Sequence, residues 1–136
     1  MIALTSINKM HPAYFETRFR VEAMPGDWPA SFVILSAWAT TGQSWTAQAN
    51  ESADRRLAQR LAQRGLWRLR ITGYSPTTGH AEPGWAFTMG LEEACDLGQR
   101  FQQDALYWVD HDRLSVTHCD HRRGLLPIGP FRQRLT

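Results

Sequence analysis

From Ser31 to Trp38 the chain reads Ser-Phe-Val-Ile-Leu-Ser-Ala-Trp, an apolar run too continuous for a strand with one wet face. Such a strand is covered on both sides, so it belongs in the middle of a sheet and forms its spine. The flanking segments fit that demand. Thr17 to Ala23 sets Phe19 and Val21 against Arg18, Arg20 and Glu22, the period-two alternation of a half-buried strand, and Met24-Pro25-Gly26-Asp27-Trp28-Pro29 turns the chain. After Trp38 a polar connector, Thr40 to Ala49, carries Trp45 alone.

Asn50 or Ser52 is the expected N-cap of a helix that runs to about Arg64 and stops at Gly65. Ala53, Leu57, Ala58, Leu61 and Ala62 make its buried stripe, and Arg56, Arg60 and Arg64 make another. Leu66 to Tyr74 alternates as a strand, with Arg68 and Arg70 on its polar face, and a loop with Pro76, Gly79 and Pro83 leads to a short strand at Trp85 to Met89. A second helix over Gly90 to about Gln103, a strand at Ala105 to Val109 and a last strand at Leu114 to Cys119 complete the order. The expected fold class is α+β: a mostly antiparallel sheet with two helices on one face, a ferredoxin-like β-α-β-β-α-β core and an added strand at each end. Residues 1–136 read as one domain, with an N-terminal arm over about 1–13 and an irregular tail over about 122–136. Phe32, Ile34, Leu57, Leu61, Leu69, Ile71, Phe87, Leu91 and Val109 are expected to share one core.

A chain of 136 residues, 43% hydrophobic and 21% charged, has the length and composition of an ordinary globular domain. No apolar run is long enough to span a bilayer, and Met1 to Met10 lacks the zones of a signal peptide, so a cytoplasmic protein without membrane contact is expected. Two cysteines, Cys95 and Cys119, write no disulfide framework and are expected to be reduced thiols. A net charge of +2 is too small for a polyanion binder on bulk charge.

Several short segments carry a resemblance: Tyr14 to Val21 (YFETRFRV), Leu35 to Trp38 (LSAW), Asn50 followed by Arg55 and Arg56, Glu82-Pro83-Gly84-Trp85, and Phe101-Gln102-Gln103-Asp104-Ala105. In their order and spacing they resemble the bacterial family catalogued as domain of unknown function 3293. In that family the LSAW-like strand usually continues into Asn-Pro, where this chain has Ala39-Thr40. The FQQDA-like segment usually carries Gly where this chain has Gln102. The resemblance brings no established catalytic or binding residue with it.

The leading site read from the residues is a polar cluster of Asn50, Arg55, Glu82 and Gln103, a carboxylate, a guanidinium and two amides near helix ends or in loops flanking the sheet. Together they suit a small polar ligand, with Arg55 on an anion and Glu82 accepting from a donor. The ordinary roles of these residues are a helix cap, a solvated charge, a loop residue and a helix end. A contact surface could use Trp28 and Trp45, which fall in loops, and the Arg56, Arg60 and Arg64 strip; a charged helix face is usually just the wet side, and nucleic acid is not expected. His111, His118, Cys119 and His121 gather near the last hairpin, but adjacent His118 and Cys119 face opposite sides of a strand, so no metal is expected. No GxSxG, P-loop, GxGxxG or HExxH occurs and no cofactor is expected. The function expected is therefore a non-catalytic binding module for a small polar ligand or a partner protein. The alternatives are a small enzyme on a nucleotide or phosphorylated substrate and a nucleic-acid-contacting protein using the arginine-rich helix face.

Overall fold

In a computed structural model, residues 9–136 are described. The N-terminal arm therefore lies mostly outside the described residues. Seven strands, β1 (Arg18–Arg20), β2 (Ser31–Leu35), β3 (Arg68–Tyr74), β4 (Ala81–Phe87), β5 (Ala105–Asp110), β6 (Arg113–His118) and β7 (Leu126–Pro130), form one sheet in the order β1-β3-β4-β2-β5-β6-β7. Every pairing between these strands is antiparallel. The described helices are α1 (Ala13–Glu16), α2 (Ala47–Arg64) and α3 (Leu91–Arg100). The molecule is α+β, with its sheet curled into a half-barrel.

β2 is the central strand, as its composition demands. Val33 and Leu35 face α2 and α3 and pack with Leu57, Leu61, Phe87, Ala94, Cys95 and Leu106. Phe32 and Ile34 face the other way into the hollow of the curl, with Phe19, Ile71, Tyr107, Val109, Leu114 and Phe131. The single core expected between sheet and helices is thus two cores separated by the sheet, and Leu69 and Leu91 are half-buried at their edges. Strand parity explains the division, since alternate residues of one buried strand must serve opposite faces.

The tail expected to be irregular forms β7, the buried Phe131 and a 3₁₀ turn over Arg132–Arg134. Proline is tolerated there because β7 is an edge strand, and Gly129, at φ 147°, sits opposite the irregular register at Leu114/Ser115. The chain then returns to β1. Leu135 bridges Phe19, the Thr136 N–H donates to the Phe19 carbonyl, and Arg18 Nη2 donates to the Gln133 carbonyl at 2.8 Å. These contacts tie the two ends of the curled sheet together.

α2 starts one turn earlier than Asn50. Thr46 is its N-cap, with Oγ1 accepting from the Ala49 N–H at 3.1 Å, and Gly65 stops it in the left-handed region at φ 63°. Ala53, Leu57 and Leu61 are buried as expected, Ala58 is half-buried, and Ala62 is exposed. β4 likewise begins earlier than Trp85, so Glu82 is a strand residue rather than a loop residue. Pro83 is accommodated because the β2–β4 pairing ends at Leu35–Trp85, leaving no strand on that side.

Candidate functional site

One end of the half-barrel is stoppered by aromatic rings. Trp28 stacks on Phe32 with centroids 5.2 Å apart, and Phe131 meets Trp28 edge-on at 5.1 Å. Trp67 closes the cluster, 6.0 Å from Phe32. The other end is open and forms a cavity of about 480 Å³. Phe19, Ile34, Ile71 and Tyr107 make its apolar floor, and α1 with the Trp38–Trp45 loop makes one rim. Tyr74, Ser75, His80 and Glu82 of the β3–β4 hairpin make the other.

Three of the four residues of the expected polar cluster line this cavity: Asn50, Glu82 and Gln103. Arg55 does not; it is exposed on α2. Asn50 lies inside the first turns of α2, where its Oδ1 accepts the Ala39 N–H at 2.9 Å. Gln103 follows α3 and donates from Nε2 to the Trp38 carbonyl at 2.6 Å and the Phe101 carbonyl at 3.1 Å. Both amides therefore hold the loop after β2, and each leaves its other polar atom unpaired among the described residues. Ser36 completes the hold by donating to the Pro83 carbonyl and accepting from the Trp38 N–H. Glu82 lies 3.1 Å from His80 Nε2, its side chain 27% exposed. Among the described residues it is the only carboxylate lining the cavity, and none of them that lines it is a lysine or arginine.

α1 lies across the mouth because both ends of its tyrosine are tied. Tyr107 donates its hydroxyl to the Tyr14 carbonyl at 2.8 Å, and Thr41 donates to the Tyr14 hydroxyl at 3.0 Å. Burial pushes both phenols above their ordinary range, so they are neutral donors and acceptors rather than bases. Thr40 accepts the Asp104 N–H at 3.0 Å, joining this rim to the start of β5.

The segment that builds most of this cavity is also the part of the chain with a recognised family. A family model described as "Protein of unknown function (DUF3293)" matches residues 35–106. The chain belongs to that family. No curated protein and no solved structure matches it. The DUF3293 match begins at Leu35, takes in the Trp38–Trp45 rim, α2, the β3–β4 hairpin and α3, and ends at Leu106. Asn50, Glu82 and Gln103 all lie within it.

Two features of the DUF3293 segment have a direct steric cause. A Cβ on Gly84 would come within 2.8 Å of the Leu35 carbonyl oxygen, so the close crossing of β2 and β4 requires a glycine in the Glu82–Trp85 motif. Gln102 holds φ 57° in a Schellman turn, with its N–H on the Gln99 carbonyl and the Gln103 N–H on the Gly98 carbonyl. That turn aims Gln103 back at Trp38.

The remaining expected site residues are dispersed. Trp28 belongs to the aromatic stopper at the closed end. Trp45 is half-buried against the helix-side core and lines the cavity from its rim. The arginine strip is divided: Arg64 pairs with Glu93 at 2.7 Å and Arg70 chelates the buried Asp54 beneath α2, whereas Arg56 and Arg60 are exposed. Arg70 also lies over the Trp85 ring, 4.5 Å from its centroid. His118 and Cys119 are buried and His111 is bonded to Asp110; no group of three His, Cys, Asp or Glu among the described residues could hold a metal ion. Both cysteines are free and buried, and Cys119, beside Cys95 and shielded from water, is held firmly as the thiol. The residues named for the site from sequence did not include Tyr14, Trp38, Thr40 or Thr41. Their signal was the polar connector itself, too well populated with hydroxyls to be only a spacer.

Proposed function

We propose that this chain is a non-catalytic binding module whose cavity takes a small, uncharged or cationic ligand, with hydrogen-bond donors at one end and an apolar body. The observation that carries this reading is the convergence of Asn50, Glu82 and Gln103 on one cavity of about 480 Å³ that no lysine or arginine lines among the described residues. That size falls in the range of small-molecule sites, and the apolar floor suits an aliphatic or aromatic body. Glu82 accepts from a ligand amine or hydroxyl, Asn50 and Gln103 add an amide donor and acceptor, and the Tyr14 and Trp38 rings can face a cation.

A phosphorylated substrate fits this cavity poorly. It would meet a carboxylate with no neighbouring guanidinium, because Arg55 stands outside. Catalysis has equally little support. Ser36 and Thr41 donate their hydroxyl protons to the Pro83 carbonyl and to Tyr14, and neither hydroxyl is hydrogen-bonded to His80. An adjacent general base is the usual means of activating a serine or threonine hydroxyl. We also read the four central strands, whose order in the sheet is β3-β4-β2-β5, as a ferredoxin-like core. Its lengthened sheet has curled to make the pocket.

The test is an NMR screen of small amines, amino alcohols and nucleosides against the full chain, with every hit titrated against Glu82→Gln. Amine- or hydroxyl-bearing hits should weaken about tenfold or more in that variant, the value of a charge-assisted hydrogen bond. If no donor-bearing compound depends on Glu82, the reading fails.

A further inference from the structure

A second concave site lies on the helix side of the sheet, between α2 and the C-terminal end of α3. It is a groove of about 420 Å³ lined by Arg56 and Arg60 of α2 and Arg100 at the end of α3, with Trp45 and Phe101 as its apolar surface. Gln59, Gln63 and Gln102 supply amides, and no carboxylate among the described residues lines it. Arg56 and Arg60 are four residues apart on α2 and so share a face, and Arg100 reaches the same groove from the neighbouring helix.

The surrounding charges make the absence of an acid there informative. Arg64 pairs with Glu93, Arg70 with Asp54, Arg122 with Asp104 and Asp120, and Arg123 with Glu92 and Asp96. Arg56, Arg60 and Arg100 pair with no carboxylate among the described residues. Three guanidiniums are thereby gathered on one groove in a chain whose net charge is only +2. Guanidinium forks match phosphate oxygens in a bidentate way, glutamine amides can donate to the remaining oxygens, and an aromatic wall accepts a flat ring.

We infer that this groove is a second binding site, for a small molecule that carries a di- or polyphosphate. A nucleic-acid strand is the poorer occupant. Glu93 neutralises Arg64 at one end of the strip and Asp54 holds Arg70 beneath the helix, so the unpaired cations form a pocket rather than a track. The groove and the cavity of the proposed binding module are chemically opposite, one cationic and one holding a lone carboxylate, and Trp45 lines both.

Calorimetric titration of the full chain with inorganic pyrophosphate and with ADP, near physiological salt, tests the inference. One saturable site is expected, weakened about tenfold or more when Arg56→Gln, Arg60→Gln and Arg100→Gln are combined. The triple variant Arg68→Gln, Arg113→Gln and Arg132→Gln removes the same charge from elsewhere and should bind as the parent does. Thermal melts establish that both triples are folded; should the first not fold, Arg60→Gln alone carries the comparison. Absence of saturable binding at millimolar ligand, or equal loss in both triples, overturns the site. An oligonucleotide that binds more tightly than ADP and loses its affinity in the first triple overturns the small-molecule assignment in favour of nucleic acid.

Discussion

Asn50 shows how a residue with a well-known local role is taken over by a distant partner. Asparagine ahead of a helical pattern reads as an N-cap, since its short side chain satisfies orphan amides there. Thr46 caps instead, the helix gains a turn, and Asn50 turns its Oδ1 to the Ala39 N–H on the cavity rim. Both residues are competent caps, so the choice rests on where the connector is pinned. Gln102 is the converse case, a local strain at a position where the resemblance to DUF3293 expects glycine. A side chain at φ 57° carries a steric cost that glycine escapes. Gln102→Gly is therefore expected to raise stability by about 1 kcal/mol in urea denaturation. An unchanged or lower midpoint would mean that the Gln102 side chain makes compensating contacts at the edge of the arginine groove.

At the scale of elements, the helices and central strands were legible because their signals are local: a stripe at three and four residues for α2, and unbroken apolarity for β2. β7 was not, because Pro127, Gly129 and Pro130 are breakers in a central strand yet permissible on an edge whose outer side has no strand partner. The start of β4 was hidden by Pro83 for the same reason. The two-core arrangement has an energetic consequence. Leu57→Ala, under α2, should cost about 2 to 5 kcal/mol, and Phe131→Ala, in the hollow of the curl, about 3 to 5 kcal/mol. Lying on opposite faces of the sheet, the two losses should add to within about 0.5 kcal/mol in the double variant. A coupling well above that would show that the sheet does not insulate the two cores.

For the whole molecule, the buried end of β6 makes stability depend on pH. Burial, then the nearby Arg122 charge, pushes His118 below the ordinary histidine range, against a weaker opposing pull from Asp104, whose carboxylate lies 4.0 Å away. The unfolded chain then binds the proton more readily than the fold. This contribution is complete above the ordinary value of about 6.5 and is lost as pH falls toward the depressed folded value. Asp120, held down to about 2 by its bonds to Arg122, acts lower: its contribution fades only below the ordinary carboxylate value. Urea midpoints should therefore decline on acidification between about pH 7 and pH 5, and His118→Gln should flatten that decline. A variant as steep as its parent would assign the dependence to another group. The α+β class, the presence and order of the two long helices and the double burial of β2 were determined by the sequence alone, because periodicity and continuous apolarity act between neighbours in the chain, whereas the start of α2 at Ala47 and the end of α3 at Arg100 were not. The candidate site was half legible, since Asn50, Glu82 and Gln103 could be named from residue type but their meeting could not. The curl of the sheet decided that meeting, along with the exclusion of Arg55 and the division of the arginines. It depends on contacts between remote segments, Phe19 with Leu135 and Tyr107 with Tyr14, which no local pattern encodes.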